Sequence, residues 1–156
     1  KVLEYGCGVG TITKRLATRV LPGGTVYASD FVKHNINIVS KRLKHFKHVK
    51  LFHHPYLHHY NLKSNFPRVD VVVSNGTLSY VQKPGMVLKH IGQRVKKGGK
   101  VVFVDYDNFF HLIPNVPWIS DDKKLIKMFK QAGFKVVVEK KRGLIWSYVF
   151  IHGVKV

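Results

Sequence analysis

A glycine-rich turn near the start of the chain has the residue types and spacing of a ligand site. Gly6, Gly8 and Gly10 stand in a G-x-G-x-G pattern between a short apolar run and a helical stretch. Glycines let the backbone approach a ligand closely, and the free N–H groups of a helix start face it. Glu4 precedes the turn, and Asp30 ends the next apolar run, where a carboxylate can accept both hydroxyls of a ribose. A dinucleotide turn reads G-x-G-x-x-G, so this spacing, with Glu4 nearby, favours a cationic nucleoside over a pyrophosphate.

The elements that must position these residues alternate along the chain. Periodicity predicts strands at 1–5, 25–29, 49–52, 70–74, 100–104, 135–139 and 145–151, and helices at 11–20, 32–46, 84–95 and 121–132. Residues 105–120 are predicted to be irregular. Regular β–α alternation predicts a mostly parallel sheet with helices on both faces, and the final two strands predict an antiparallel edge. Without linkers or repeats, residues 1–156 are interpreted as a single domain.

Composition narrows the classes of protein. The chain has 156 residues, 45% of them hydrophobic, which suffices for a core. No apolar run approaches the roughly 20 residues of a membrane-spanning helix, so no membrane span is predicted. A single cysteine excludes an internal disulfide, and the lack of a signal segment predicts a cytoplasmic protein.

The charge of the chain leaves two interpretations open. Lys+Arg number 27 against 8 Asp+Glu, for a formal net charge of +19. Lys33 to Arg68 is a stretch with no acidic residue, which suits RNA or another polyanion. A lysine-rich, solvated surface with no ligand explains the same numbers.

The ordered motifs resemble those of the class I S-adenosylmethionine-dependent methyltransferases. V-L-E-Y-G-C-G-V-G is similar to that family's motif I, and T-V-Y-A-S-D, V-D-V-V-V-S-N-G-T-L-S-Y-V, K-K-G-G-K-V-V-F-V and A-G-F-K-V-V-V-E follow in its order. The later part of the chain is most similar to the small-molecule branch of quinone and lipid biosynthesis. The resemblance implies a Rossmann-like, doubly wound seven-stranded sheet, ordered 3-2-1-4-5-7-6 with strand 7 antiparallel. It also implies that the family's N-terminal helices are absent, so the chain is a fragment or a partner chain or second copy covers that region.

The resemblance further implies S-adenosyl-L-methionine as the cofactor and a role for each matching residue. Gly6, Gly8 and Gly10 would shape the turn under the methionine part, and Glu4 would organise that turn. Asp30 would bind the ribose hydroxyls, and Phe31 would flank the adenine. Family members often carry an Asp after strand 3, where this chain reads His53-His54-Pro55-Tyr56, so His54, Pro55 and Tyr56 are expected to border the adenine instead. Asn75 would lie beside the reactive methyl group.

The residue types restrict the reaction. The only cysteine, Cys7, lies in the cofactor turn, which excludes cytosine C5 methylation by a cysteine nucleophile. Ser74-Asn75-Gly76-Thr77 lacks the prolines of the motif that amino-group DNA methyltransferases share. Asp105, Tyr106 and His111, in an apolar and aromatic segment, are the candidate proton acceptors. Asn75 is the fourth candidate catalytic residue, through its expected place beside the methyl group.

We therefore expect in-line methyl transfer to a small, apolar or aromatic acceptor. An RNA methyltransferase that uses residues 33–68 and a non-catalytic binding subunit with the same fold remain alternatives. The pairs His53-His54 and His58-His59 have no cysteine or carboxylate near them in sequence, so they are interpreted as solvated, and no metal site is predicted.

Overall fold

The computed structural model describes residues 1–54, 62 and 65–156. Its strands are β1 (Val2–Tyr5), β2 (Val26–Asp30), β3 (Val49–His53), β4 (Val69–Asn75), β5 (Val95–Phe109), β6 (Ile113–Pro114), β7 (Phe134–Arg142) and β8 (Trp146–Lys155). Its helices are α1 (Thr11–Arg19), α2 (Lys33–Arg42), α3 (Pro84–Gly92) and α4 (Asp122–Gln131), and Leu78–Tyr80 form a 3₁₀ turn. These described helices have ten residues at most, and none could cross a bilayer.

The strands form one sheet in the order β3-β2-β1-β4-β5-β8-β7, with β6 paired to β5. The pairs from β3 to β5 are parallel, whereas β8 runs antiparallel to both β5 and β7. This is the predicted order 3-2-1-4-5-7-6 once the two-residue β6 is counted, so the fold class is confirmed. Because β1, β2 and β4 are parallel, their carboxyl ends, and the loops that follow them, share one edge of the sheet.

Alternation along the strands sends side chains into two cores. Leu3 and Phe103 point toward α3 and α4 and join the larger cluster. Val26 and Ala28 point to the other face and pack with Val39 of α2 in the smaller cluster. On that second face, beyond α1 and α2, apolar side chains of β5, β7 and β8 remain exposed: Val102, Val137 and Val154.

Several element boundaries differ from the prediction. Residues 105–109 are not irregular but continue β5, since Asp105 and Asp107 keep the inward alternation of Val101 and Phe103 and the backbone pairs with β8. Helix α2 ends at Arg42 rather than Phe46, because the chain turns at Leu43, whose side chain joins the smaller core. Strands β7 and β8 are longer than predicted, because their pairing continues through polar residues that periodicity alone did not assign to a strand.

Candidate active site

The turn between β1 and α1 is built from glycines that no other residue could replace without strain. Gly6, Gly8 and Gly10 have φ values of 78°, 52° and 86°. The N–H groups of Gly6 and Cys7 donate to the Ser29 carbonyl, at 2.9 and 2.8 Å, which holds the turn against β2. A side chain at Gly6 would collide with Thr77, whereas nothing lies within 4 Å of the place where a Gly8 side chain would stand. Gly8 is therefore the point at which a ligand has room to approach the backbone.

Asp30 lies buried at the carboxyl end of β2 and binds the same turn. The Gly8 N–H donates to Oδ2 at 2.8 Å, and the Val32 N–H and the Asn35 side-chain amide donate to Oδ1 at 2.8 and 3.1 Å. A carboxylate offers about four lone-pair positions, so three hydrogen bonds leave about one for an incoming hydroxyl. The arrangement suits one ribose hydroxyl directly, and a second only if one internal bond is exchanged.

Glu4 is the other carboxylate beneath the turn, and it is 2% exposed. Its Oε2 has no hydrogen-bond partner among the described residues. Burial raises the pKa of Glu4 to about 7; the Thr13 hydroxyl opposes this rise and the charge of Asp30 adds to it. A buried carboxylate in this state is stabilised by a positive charge placed beside it, so the site fits a cationic cofactor better than an anionic one.

Asn75, at the carboxyl end of β4, lies where two cavities meet. One cavity, of ≈190 Å³, is lined by Glu4 and Ile12 together with residues 73–75 of β4 and Val102 and Val104 of β5. The other, of ≈260 Å³, is lined by Asn75 and Gly76, residues 104–106, and Tyr148 and Phe150 of β8. Asn75 and Val104 line both, so this edge of the sheet joins a compartment beside the glycine turn to an aromatic one.

The three candidate proton acceptors do not share one environment. Tyr106 lies in the aromatic cavity, where a Cβ on Gly76 would come within 3.2 Å of its ring. Asp105 lines the same cavity, but its carboxylate accepts the backbone N–H groups of Ser79, at 3.0 Å, and Tyr106, at 2.8 Å. Burial raises the pKa of Asp105, and these hydrogen bonds oppose the rise. Asp105 thus holds the 3₁₀ turn at Leu78–Tyr80 in place.

His111 lies apart from Asn75 and Tyr106. Its Nδ1 is hydrogen-bonded to the Ser147 hydroxyl at 2.8 Å, and it lines a separate cavity of ≈270 Å³ with Asp107 and Lys140 to Arg142. Nothing in this geometry brings its imidazole to the aromatic cavity.

The residues expected around an adenine are described only in part. Phe31 follows Asp30 directly and is half-buried, and its carbonyl is hydrogen-bonded to the His53 ring at 3.0 Å. The interpretation of His53 and His54 as a solvated pair is wrong for His54, because its side chain is buried and stacks on Tyr5 with ring centroids 5.3 Å apart. Its backbone N–H donates to the Asp30 carbonyl. Burial lowers the pKa of His54 to about 4, so its ring is neutral at physiological pH. Pro55 and Tyr56, and the pair His58-His59, lie outside the described residues.

The structure can be searched, within its described residues, for a metal site and for a basic surface near the two cavities. Among those residues no group of three or more His, Cys, Asp or Glu side chains is placed to hold a metal ion. The exposed lysines Lys44 and Lys47 lie between α2 and β3. Since β3 begins there, they stand at the edge of the sheet opposite to Asn75, away from both cavities.

Several residues of the site were not anticipated from the sequence. Thr13 faces Glu4, and Asn35 binds Asp30. Tyr148 and Phe150 complete the aromatic cavity. Only these last two carried a readable signal: with Trp146 they alternate along β8, which places all three on one face of the sheet.

Comparison with known proteins gives three matches that agree with this arrangement. A family model described as a methyltransferase domain matches residues 1–144. A malonyl-[acyl-carrier protein] O-methyltransferase of Bacillus cereus is 29% identical over 103 residues, covering 66% of this chain and 36% of that protein. A protein of the same name from Halalkalibacterium halodurans is 23% identical over 145 residues, covering 92% of this chain and 49% of that protein. The chain thus spans about a third to a half of the length of these relatives.

Among solved structures, a SAM-dependent methyltransferase from Aquifex aeolicus superimposes with a TM-score of 0.76. The match covers 98% of this chain and 81% of the other at 17% sequence identity. At that identity the likeness shows a shared fold.

Proposed function

The chain belongs to the methyltransferase domain family, and we propose that it transfers a methyl group from S-adenosyl-L-methionine to a small, apolar or aromatic acceptor. The observation that carries this proposal is the glycine turn. Open space at Gly8 lies above two buried carboxylates, Asp30 bound to the turn and Glu4 with an unpartnered oxygen. This combination fits a nucleoside that carries a positive charge.

The described residues divide into binding and orienting groups. S-adenosyl-L-methionine supplies a methyl group on a positively charged sulfur, from which an acceptor atom can take it by in-line displacement. The backbone of Gly6, Gly8 and Gly10 would lie along the methionine part, and Asp30 would accept a ribose hydroxyl. Glu4 would lose its proton more readily beside the positive charge, because an opposite charge favours the ionised carboxylate.

The acceptor would occupy the aromatic cavity on the far side of Asn75. Tyr106, Tyr148 and Phe150 supply apolar walls, and none of the described lining residues is basic. An apolar or aromatic acceptor therefore fits this cavity better than an anionic one. Asn75 would orient the acceptor at the junction, Tyr106 would be the proton acceptor or donor, and Asp105 would position Tyr106.

A second acceptor class comes from the relatives. Both are named as acting on malonyl-[acyl-carrier protein], and a carboxylate acceptor is already ionised at neutral pH, so its methylation needs no base. In that case Tyr106→Phe would leave turnover unchanged, whereas it would lower turnover of a phenolic acceptor.

Calorimetric titration of the intact protein with S-adenosylhomocysteine tests the cofactor site. We expect binding that Asp30→Ala weakens at least about tenfold, or about 1.4 kcal/mol. Asp122→Ala, which removes an exposed carboxylate from α4, is the matched control and should bind like the wild type. Absence of binding by the wild-type protein would overturn the proposal.

Radiolabelled methyl transfer then tests the acceptor, with a hydroquinone and a malonyl thioester offered in parallel. Transfer to the hydroquinone supports the apolar or aromatic class, and transfer to the thioester alone replaces it with the carboxylate class. Tight cofactor binding without transfer to either would favour the non-catalytic subunit.

A further inference from the structure

Two hairpin tips project from the same edge of the sheet as the glycine turn. Residues 110–112 connect β5 to β6, and residues 143–145 connect β7 to β8. The two tips are tied together, because the Phe110 N–H donates to the Ile145 carbonyl at 2.7 Å. Beneath them, the rings of Phe109 and Trp146 pack with centroids 4.8 Å apart.

The tips carry exposed apolar side chains. Leu112 is 84% exposed and Leu144 is 95% exposed. Together with three exposed neighbours they form what we call the hairpin-tip surface: Phe110, Leu112, Ile113, Leu144 and Ile145. Single exposed apolar residues are ordinary, but a contiguous group on two adjoining turns marks an interaction site. The side chains stand outward on the tips rather than line a groove, which suits insertion into a soft, apolar medium.

The charge around this surface has one sign. Residues 108–115 and 140–147 contain no Asp or Glu, while Lys140, Lys141 and Arg142 are consecutive at the end of β7. Lys140 is neutralised by Asp122 at 3.0 Å and Asp107 at 3.5 Å. Within the described part of the chain, Lys141 and Arg142 have no carboxylate within ion-pair distance, so both charges beside the apolar tips are not neutralised. The Lys141 ammonium lies over the Phe150 ring, 5.1 Å from its centroid, and keeps its charge there.

We propose that the hairpin-tip surface docks on the anionic surface of a phospholipid bilayer. Apolar side chains that reach the boundary between headgroups and acyl chains contribute the hydrophobic part of such binding, and flanking Lys and Arg contribute attraction to anionic headgroups. A second copy of the chain fits the surface poorly, since each copy carries a formal net charge of +19.

Docking in this orientation brings the aromatic cavity toward the membrane. Asn75 is paired with Val104, and β5 ends five residues further along, at Phe109, directly before the tip. At about 3.3 Å per residue, Asn75 lies roughly 17 Å from the start of the tip. An acceptor dissolved in the bilayer would thus enter from the docked side; this consequence rests on the proposed function, whereas docking itself does not.

Sedimentation of the intact protein with vesicles, without cofactor, tests the proposal. We expect binding to vesicles of phosphatidylcholine with phosphatidylglycerol, weaker binding to phosphatidylcholine alone, and loss of binding at high salt. The double variant Leu112→Asn with Leu144→Asn should lower the partition coefficient about 100-fold, because two apolar side chains no longer enter the bilayer. Leu21→Asn is the matched control, exposed by 53% at the opposite edge of the sheet, and should bind like the wild type.

A charge variant tests the electrostatic attraction to anionic headgroups. Lys141→Gln with Arg142→Gln should lower partition to anionic vesicles about 30-fold, since each cation near an anionic surface contributes about fivefold. Lys123→Gln with Lys127→Gln, which removes two exposed lysines from α4, should have a much smaller effect. Fluorescence of Trp146 should shift to shorter wavelength on binding in the wild type and not in the leucine variant.

Three outcomes would overturn the proposal: no vesicle binding by the wild type, equal binding by the leucine variant, or concentration-dependent light scattering that the leucine variant abolishes. The last would assign the surface to protein association. Calorimetry with S-adenosylhomocysteine on the same preparations keeps this result separate from the proposed function, because the tips do not line the cofactor cavity.

Discussion

Substitution of Gly8 by alanine separates the strain of a left-handed backbone from the loss of a ligand site. Gly8 has a φ of 52° and Gly23, in the connection from α1 to β2, has a φ of 79°. For both glycines, no atom lies within 4 Å of the place that a Cβ would occupy. An L-residue in this conformation costs about 1–2 kcal/mol, so each variant should lose about that much unfolding free energy. A domain of ordinary stability, about 5–15 kcal/mol, remains folded after such a loss.

Only the Gly8 variant is expected to lose cofactor affinity. Its backbone N–H still donates to Asp30, so the internal hydrogen bond is retained. The added methyl group, however, fills the open space into which we place the cofactor. We expect the dissociation constant for S-adenosylhomocysteine to rise at least about tenfold, which is about 1.4 kcal/mol. Gly23→Ala should leave it unchanged, because Gly23 lies at the opposite edge of the sheet.

Urea unfolding measures the stability of the three proteins, and calorimetry measures their affinities. The reasoning is refuted if Gly8→Ala binds the ligand as tightly as Gly23→Ala does, since the space at Gly8 would then not be occupied by the ligand. It is equally refuted if both variants lose affinity in proportion to their stability.

Three further substitutions test the carboxylates and the turn. In the folded state the pKa of Glu4 is raised from 4.5 to about 7, so its contribution to the free energy of unfolding is complete below pH 4.5 and is lost as the pH rises through 7. A pKa difference of one unit corresponds to 1.36 kcal/mol, so the contribution is about 3 kcal/mol. Glu4→Gln should remove this part of the pH dependence of urea unfolding. Asp30→Asn leaves one backbone N–H poorly paired and should lower the free energy of unfolding in urea by about 1–3 kcal/mol. It should also weaken S-adenosylhomocysteine binding in calorimetry. Unchanged stability would contradict the hydrogen bonds assigned to Asp30. Arg42 donates to the Val9 carbonyl at 2.5 Å and should therefore stabilise the glycine turn. Arg42→Ala should weaken ligand binding several-fold in calorimetry, whereas the control Lys41→Ala should not. Equal effects of the two variants would show that Arg42 does not stabilise the turn.

The alternation of strands and helices and the glycine turn were predictable because their signals are local. The glycine turn can be located from residue type alone, because Gly6, Gly8 and Gly10 each have a positive φ, which other residues adopt only at an energetic cost. The start of α4 is likewise marked by residue type, since Asp121 caps the helix and its side chain accepts the Lys124 N–H at 3.0 Å. The extent of β5 was not predictable, because residues 105–109 are polar and aromatic and are strand only through pairing with β8.

The sequence by itself determined the succession of strands and helices and the glycine turn, because period-2 and helical patterns and glycine spacing depend on neighbours along the chain. The order of the strands within the sheet was implied by the resemblance to the methyltransferase family and not by any local pattern. Only the tertiary structure decided which of the distant candidates share an environment. Asn75 and Tyr106 line one cavity because β4 and β5 are in parallel register there, with Asn75 opposite Val104. His111, five residues beyond Tyr106, lies past an irregular step in the pairing of β5 with β8 and bonds Ser147 instead. Sheet register and the face on which each side chain falls depend on pairing between strands remote in sequence, and no local pattern specifies them.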